Sequence, residues 1–258
     1  MKYVDLAAAR EMPGLRLALT AGVPGPWSES AKAIFAVKGI PYIPVAQYAA
    51  KENAELMAWT GCRNAPVAVL DNEKPRSGWA EILLLAERLQ PYVPLLPADP
   101  AERALVFGLS HEICGEEGFG WTRRPTMFDA ILTAARNGAT LEPGMQAMLR
   151  DYRISEAASA GATQRLVGLL GMLAARLHAQ RAAGSRYLVG DRLTACDLYW
   201  ACFAATLEPL PEEVNPMPSF VRHLYASVTQ EVAAAKDPIL FEHRDFIYAT
   251  HLTLPLDY

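Results

Sequence analysis

The stretch Tyr187-Leu-Val-Gly-Asp-Arg-Leu-Thr-Ala-Cys-Asp-Leu-Tyr-Trp200 spells out the start of a buried helix. Thr194 is a strong N-cap, because its hydroxyl can accept from an amide of the first turn. Asp197 follows three residues later, where a carboxylate reaches back to the Thr194 amide and completes a capping box. Leu193 before the cap and Leu198 at the fourth helical position have the spacing of a hydrophobic staple. Gly190-Asp191 supplies the preceding turn. The helix that follows carries Leu198, Tyr199, Trp200, Cys202 and Phe203, apolar on most sides, and is predicted to be buried. Loss of its cap is expected to cost about 1–2 kcal/mol.

Outward from this helix, the chain divides by pattern. Of its 258 residues, 52% are hydrophobic, enough for one large or two modest domains with a sizeable core. A net charge of −4 argues against a nucleic-acid binder that relies on electrostatic attraction. Met1 to Leu6 lacks the apolar core of a signal peptide, and no apolar run reaches the roughly 18 residues of a membrane span. Four cysteines, Cys62, Cys114, Cys196 and Cys202, show neither C-x-x-C nor Cys/His ligand spacing. They read as reduced thiols of a cytoplasmic protein, and no metal is expected.

Residues 1–14 read as an irregular leader. Arg16 to Thr20 is a short apolar strand. Pro26 suits the first turn of a helix that Gly39 ends. Tyr42 to Val45 is a second strand, and Pro44 marks it as an edge. Asn53 to Trp59 is a short helix, and Val67 to Leu70 a third strand. Around Pro75-Arg76 there is room for one more short strand, before a helix over Gly78 to Leu89. Pro91, Pro94, Pro97 and Pro100 then mark a linker. Beyond it the pattern is helical: Ala101 to Cys114, broken by Gly115, Gly118 and Gly120; Ala157 to Arg181 with a stripe of Leu166, Leu169, Leu170, Leu173 and Leu177; the helix from Thr194; about Met217 to Ala234; and Phe241 to His251.

The Leu-Val-Gly-Asp turn leading into Thr-x-x-Asp closely resembles the capping segment of the helical domain of cytosolic glutathione transferases. Three segments of the first half extend the resemblance: AIFAVKGIPY (33–42) to the end of their first helix, NAPVAVLDNE (64–73) to their cis-proline segment, and AEILLLAERL (80–89) to their third helix. The resemblance covers roughly residues 14–235. It implies an α/β thioredoxin-like N-terminal domain over residues 1–92, a linker over 93–100, and an all-α helical-bundle domain over 101–258. It also implies glutathione as co-substrate, a small hydrophobic electrophile as partner, and a homodimer joined through the third-helix region and the first helix of the helical domain.

The same resemblance nominates site residues. Pro66 is expected to be cis, and the Val67 N–H and C=O to pair with the cysteinyl backbone of glutathione as an added strand would. Ser77 and Gly78 match the acidic-Ser pair that holds the γ-glutamyl end, with the acidic residue missing; Arg76 beside them either takes a glutathione carboxylate or is solvated. Gly25 falls where some classes carry a catalytic Cys or Ser, which excludes a protein-thiol mechanism at this position. A glutathione-thiolate mechanism needs about 2.7 kcal/mol of preferential anion stabilisation to move a thiol two units from about 8.5. A hydroxyl and the helix N-terminus can supply it, and the candidates are Ser28 first, then Thr20 and Ser30. Phe107, His111, Cys114 and Trp121 are expected to line the hydrophobic-substrate site. Arg123 and Arg124 either bind an anionic substrate or pair with Glu116 and Glu117. Two rival readings stand beside the transferase: another glutathione-dependent reaction (ether cleavage, dehalogenation, isomerisation), or a non-catalytic binding or scaffold protein. The tail after His243 either folds back on the cleft or covers the helical core.

Overall fold

In the computed structural model, which describes residues 1–258 apart from the side chain of Glu156, three strands form one sheet: β1 (Leu15–Thr20), β2 (Ile43–Gln47) and β3 (Val67–Leu70). The order is β2-β1-β3, with β1 parallel to β2 and antiparallel to β3. Pro44 does lie on an edge strand. That edge is capped by residues expected to be irregular: Val4 bridges Val45, and its N–H donates to the Pro44 carbonyl at 2.9 Å. The segment also holds a short helix, α1 (Leu6–Glu11), started by Asp5, whose carboxylate accepts from the Ala8 amide at 3.1 Å. The extra pairing around Arg76 is a single bridge to Ala68.

Strand alternation sorts the sheet's side chains. Leu15, Leu17, Leu19 and Ala68 face α2 (Pro26–Val37) and α4 (Trp79–Leu89). Ala18, Val45, Val67 and Val69 face the opposite layer, with Ala9 of α1 and Leu56 of α3 (Ala54–Thr60). Gly39 ends α2 at φ +64°, the left-handed conformation that favours glycine.

Helices alone follow: α5 (Pro100–Cys114), α6 (Phe119–Met127), α7 (Asp129–Arg136), α8 (Pro143–Asp151), α9 (Glu156–Ser159), α10 (Ala162–Ala182), α11 (Ala195–Ala204), α12 (Ser219–Ala226), α13 (Gln230–Ala234) and α14 (Pro238–His251). The long helix expected from Ala157 is broken between α9 and α10, where Gly161 sits at φ +78°. The one expected over Met217 to Ala234 is split into α12 and α13, with Thr229 capping the second piece through the Val232 amide. The leucine stripe of α10 is buried throughout.

Every residue of α11 is buried, and it packs on α2, α5 and α14. The Asp197 half of its capping box forms as the spacing predicts, whereas the Thr194 hydroxyl caps no amide of the first turn and turns to Asp197 instead. Asp197 accepts from the Thr194 amide at 2.8 Å and from the Thr194 hydroxyl at 2.7 Å, and its other oxygen accepts from the Leu188 amide at 2.7 Å. Trp200 Nε1 donates to Leu240 O at 2.9 Å, and the Tyr199 hydroxyl donates to Trp79 O at 3.1 Å. One helix thus ties the last helix of the chain to the start of α4 beside the sheet.

The proline-rich connection is clamped rather than loose. Leu95 and Leu96 are buried; the Leu95 amide donates to Glu87, and its carbonyl accepts from the Ala195 amide at 2.9 Å. The buried Lys38 ammonium lies 2.8 Å from Glu87 and donates to Val93 O. A second junction is at Gly144 of α8: a Cβ there would stand 2.2 Å from Ala50 O, so only glycine lets α8 approach the loop after β2 this closely. The tail crosses α2 and the helical half. Lys32 donates to Asp257 O, Leu256 N–H donates to Val214 O, and Tyr258 packs with Met217, Val221 and Tyr225. Among the described residues no helix is long and apolar enough to cross a membrane.

Candidate functional site

The Ala65–Pro66 bond is cis, as the resemblance implies. Pro66 and Ala65 line a cleft of about 660 Å³, with Cys62, Arg63 and Asn64 before them. The expectation for Val67 is corrected. Ala68 exchanges both its backbone hydrogen bonds with Arg76, on the side away from β1. Successive residues of a strand point their amides and carbonyls to opposite sides. The N–H and C=O of Val67 therefore face Ala18 of β1, its register partner, and its side chain is buried under α3. Cys62 to Pro66 border the cleft, and Val67 does not. A one-residue shift of this kind depends on which partner Ala68 takes, which local sequence does not show.

Ser77 and Gly78 line the same cleft, and Ser77 is exposed. Gly78 caps α4, but its amide already donates to the Glu81 carboxylate at 3.2 Å. The acidic residue absent before Ser77 thus has a neighbour inside the first turn of the helix. Arg76, partly exposed, pairs with Glu73, and the hydrogen bonds from Arg88 and Arg76 hold the Glu73 carboxyl below its usual range.

At the start of α2, Gly25 is the N-cap and Pro26 has no amide to leave unpaired. Ser28 is buried; its hydroxyl accepts from the Thr20 amide at 3.1 Å and lies 3.2 Å from the Thr20 hydroxyl. The two candidate hydroxyls are therefore adjacent and spend hydrogen bonds on each other. Neither borders the cleft of Pro66 and Ser77; both border a second, apolar cavity of about 440 Å³. Ser30 is turned back on the helix, donating to Trp27 O.

On the helical side, His111, Cys114 and Trp121 border the cleft, and Phe107 does not: it packs on Trp79 at 6.2 Å between ring centres. Cys114 is fully buried and donates to Ser110 O, and burial holds its thiol well above the usual range, so it stays protonated. His111 keeps its position because residue 115 is glycine; a Cβ there would stand 2.3 Å from His111 Nδ1. Among the described residues no three His, Cys, Asp or Glu side chains gather where a metal could bind.

The two adjacent arginines of α6 part company. Arg123 is buried and spends its guanidinium on protein acceptors: Thr206 O at 3.0 Å, Thr126 Oγ1 at 2.6 Å, and the carbonyls of Tyr225 and Ser227. Arg124 is 9% exposed and lies face-on between Trp27 and Tyr152, its guanidinium carbon 3.7 Å from each ring centre. Burial lowers the pKa of each to about 10, which leaves both charged at neutral pH. Neither pairs with Glu116 or Glu117. Glu116 pairs with Arg153 instead.

The apolar cavity is what sequence reasoning missed. Its walls come from α6, α7, α8 and α12, with Met127, Ile131, Met148, Phe220 and Leu224 among them. Of α7, Ile131 lines the cavity. Cleft and cavity meet at Trp27, Asn64, Ala65, Arg124 and Tyr152, which border both. The Asn64 amide fixes this seam by donating to Asp151 of α8 at 3.0 Å. The arrangement can hold a polar ligand against the Ala65-Pro66 loop and an apolar one beside it.

No protein-family model and no curated protein matches the chain. Solved structures do. A glutathione S-transferase from Methylobacterium radiotolerans JCM 2831, in complex with glutathione sulfonate, is similar at a TM-score of 0.59 and 19% identity over 92% of this chain and 91% of that one. A glutathione transferase family member from Pseudomonas fluorescens Pf-5, with two glutathione bound, is similar at 0.58 and 14% over 92% and 88%. A beta-etherase from Sphingobium sp. strain SYK-6 is similar at 0.57 and 16% over 90% and 99%. Sheet, clamped connection and helical bundle together give this chain the glutathione transferase fold: a thioredoxin-like α/β layer followed by an all-helical half.

Proposed function

We propose that the protein is a glutathione transferase-like enzyme that conjugates the glutathione thiolate to a small hydrophobic electrophile. Residues 1–92 bind the tripeptide and residues 101–258 supply most of the electrophile's surroundings. The observation that carries this reading is the seam itself: a cleft bordered by the Ala65-Pro66 loop, Ser77 and Gly78 opens beside an apolar cavity and shares five residues with it. A thiol at that seam meets a guest in the cavity, so the protein contributes proximity. Thiolate stabilisation comes from the first turn of α2, whose leading amides no helix carbonyl can reach, and from the Ser28–Thr20 hydroxyl pair.

Isothermal titration with glutathione tests the reading. A dissociation constant between micromolar and low millimolar is expected, with the pKa of the bound thiol near 6.5, about two units under the free thiol. In Ser28→Ala that pKa rises by about one unit. An unchanged value removes Ser28, and absence of binding removes the enzyme. One observation favours the second reading, a non-catalytic scaffold: Glu81 already occupies the Gly78 amide that a γ-glutamyl carboxylate would use. Ether cleavage, the activity named for one of the similar structures, uses the same two ligands and is separated by product analysis.

The same reading makes the protein a cytoplasmic homodimer. Leu84 and Leu89 of α4, Tyr92 and Val93 of the connection, and Leu105 of α5 are large exposed hydrophobics on the elements expected to meet a second copy. Light scattering at micromolar concentration is expected to give twice the chain mass, and a monomer would overturn that assignment.

A further inference from the structure

Among the described residues Arg124 has no acceptor. Its guanidinium faces are covered by Trp27 and Tyr152, and Trp121 stands 5.0 Å away. Cation–π contact offsets part of the cost of burying the charge but takes none of the N–H donors. Among the described residues no hydrogen bond from its nitrogens is formed, and Nη1 is shut off from solvent without a partner. Such an unpaired buried cation is expensive unless something else completes it. Asp151 is committed to Arg63 and Asn64, Glu116 to Arg153, and Glu112 to Arg165. Arg123 beside it shows what a satisfied arginine looks like in this fold, with every terminal nitrogen bonded.

With both faces covered and Nη1 enclosed, the guanidinium offers a ligand its Nε–Nη2 edge, a geometry that suits a planar two-oxygen anion. Arg124 borders the apolar cavity as well as the cleft, so that anion can sit on a body lodged among Met127, Ile131, Met148 and Leu224. We propose that Arg124 grips a carboxylate carried by the apolar co-substrate, so that the protein's electrophiles are aromatic or aliphatic acids rather than neutral hydrophobes. The assignment rests on the proposed function for its chemistry, but the carboxylate grip is measurable without turnover.

The test uses the full-length protein with 1-naphthoate and its neutral counterpart 1-naphthamide, followed by calorimetry and by quenching of tryptophan fluorescence, with and without glutathione. The wild type is expected to bind the acid at least tenfold more tightly than the amide, the scale of one charge-assisted hydrogen bond. In Arg124→Gln that ratio falls about tenfold or more. Arg124→Lys keeps the charge without the planar fork and gives an intermediate ratio. Equal binding of acid and amide by the wild type overturns the proposal with no variant needed, so a misfolded Arg124→Gln does not protect it. A tenfold loss of glutathione affinity in Arg124→Gln or Arg124→Lys, with the acid-to-amide ratio intact, assigns the grip to glutathione's own carboxylate and also overturns it. If the wild type fails to bind glutathione yet prefers the acid, the enzymatic reading falls and the carboxylate site stands.

Discussion

Asp197→Ala is expected to lower the free energy of unfolding by about 4 kcal/mol, read from guanidinium denaturation. The carboxylate is fully buried and accepts from the Leu188 amide, the Thr194 amide and the Thr194 hydroxyl. His243 Nε2 lies 3.2 Å from it as well. Truncation leaves two amides and a hydroxyl without an acceptor, each costing about 1–3 kcal/mol, and water cannot reach them. Thr194→Ala removes less, because the Thr194 amide keeps its carboxylate partner and only the hydroxyl's bond to Asp197 is lost; about 2 kcal/mol is expected. Asp197→Asn retains one acceptor oxygen and should fall between the two. A loss below 1 kcal/mol for Asp197→Ala would mean that the box is decoration on a helix held by packing alone.

Gly25→Cys is expected to create a reactive thiol where the chain has none. Gly25 adopts φ −63° and ψ 123°, open to any residue, and an added Cβ meets only the Thr20 side chain, Oγ1 at 3.5 Å and Cβ at 3.7 Å. The new sulfur would stand at the N-terminus of α2, where the dipole and the unpaired first-turn amides favour an anion. Its pKa should lie at roughly 6–7, against about 8.5 for a free thiol. Thiolate absorbance followed against pH measures it, with the wild type subtracted. Of the native thiols Cys114, Cys196 and Cys202 are buried and only Cys62 is partly open, so the background is small. Mixed-disulfide formation with glutathione disulfide should accelerate in parallel. A value at or above 8.5 would show that this helix end does not stabilise anions, and would weaken the thiolate reading of the native site with it.

The architecture was legible where its signals are local. The Thr194 box, the leucine stripe of α10 and Pro44 on the edge strand each depend on residues a few positions apart. Asp5 as the cap of α1 was equally local but sat in a short alanine-rich segment with no apolar stripe. The breaks at Gly161 and before Thr229 were hidden by periodicity that runs on across them. Of the site, Pro66, Ser77, Gly78, His111, Cys114 and Trp121 do border one cleft. Val67 was off by a single step of strand alternation, and Phe107 was turned onto Trp79. The apolar cavity was not legible, because its walls join α6, α7 and α8 to α12, which starts 68 positions beyond the end of α8. Arg124 was misleading for the opposite reason. Glu116 and Glu117 are close in sequence but on the wrong side of Gly118, where the chain turns from α5 into α6.

The clamped connection has a mechanical consequence. Lys38 and Glu87 belong to the sheet layer, Ala195 begins the central helix of the bundle, and residues 93–95 are bonded to both. The joint is thus held from both sides, which resists the two lobes swinging apart. Heat or denaturant that loosens one lobe withdraws anchoring atoms from the other, so the chain should lose its order in a single cooperative step.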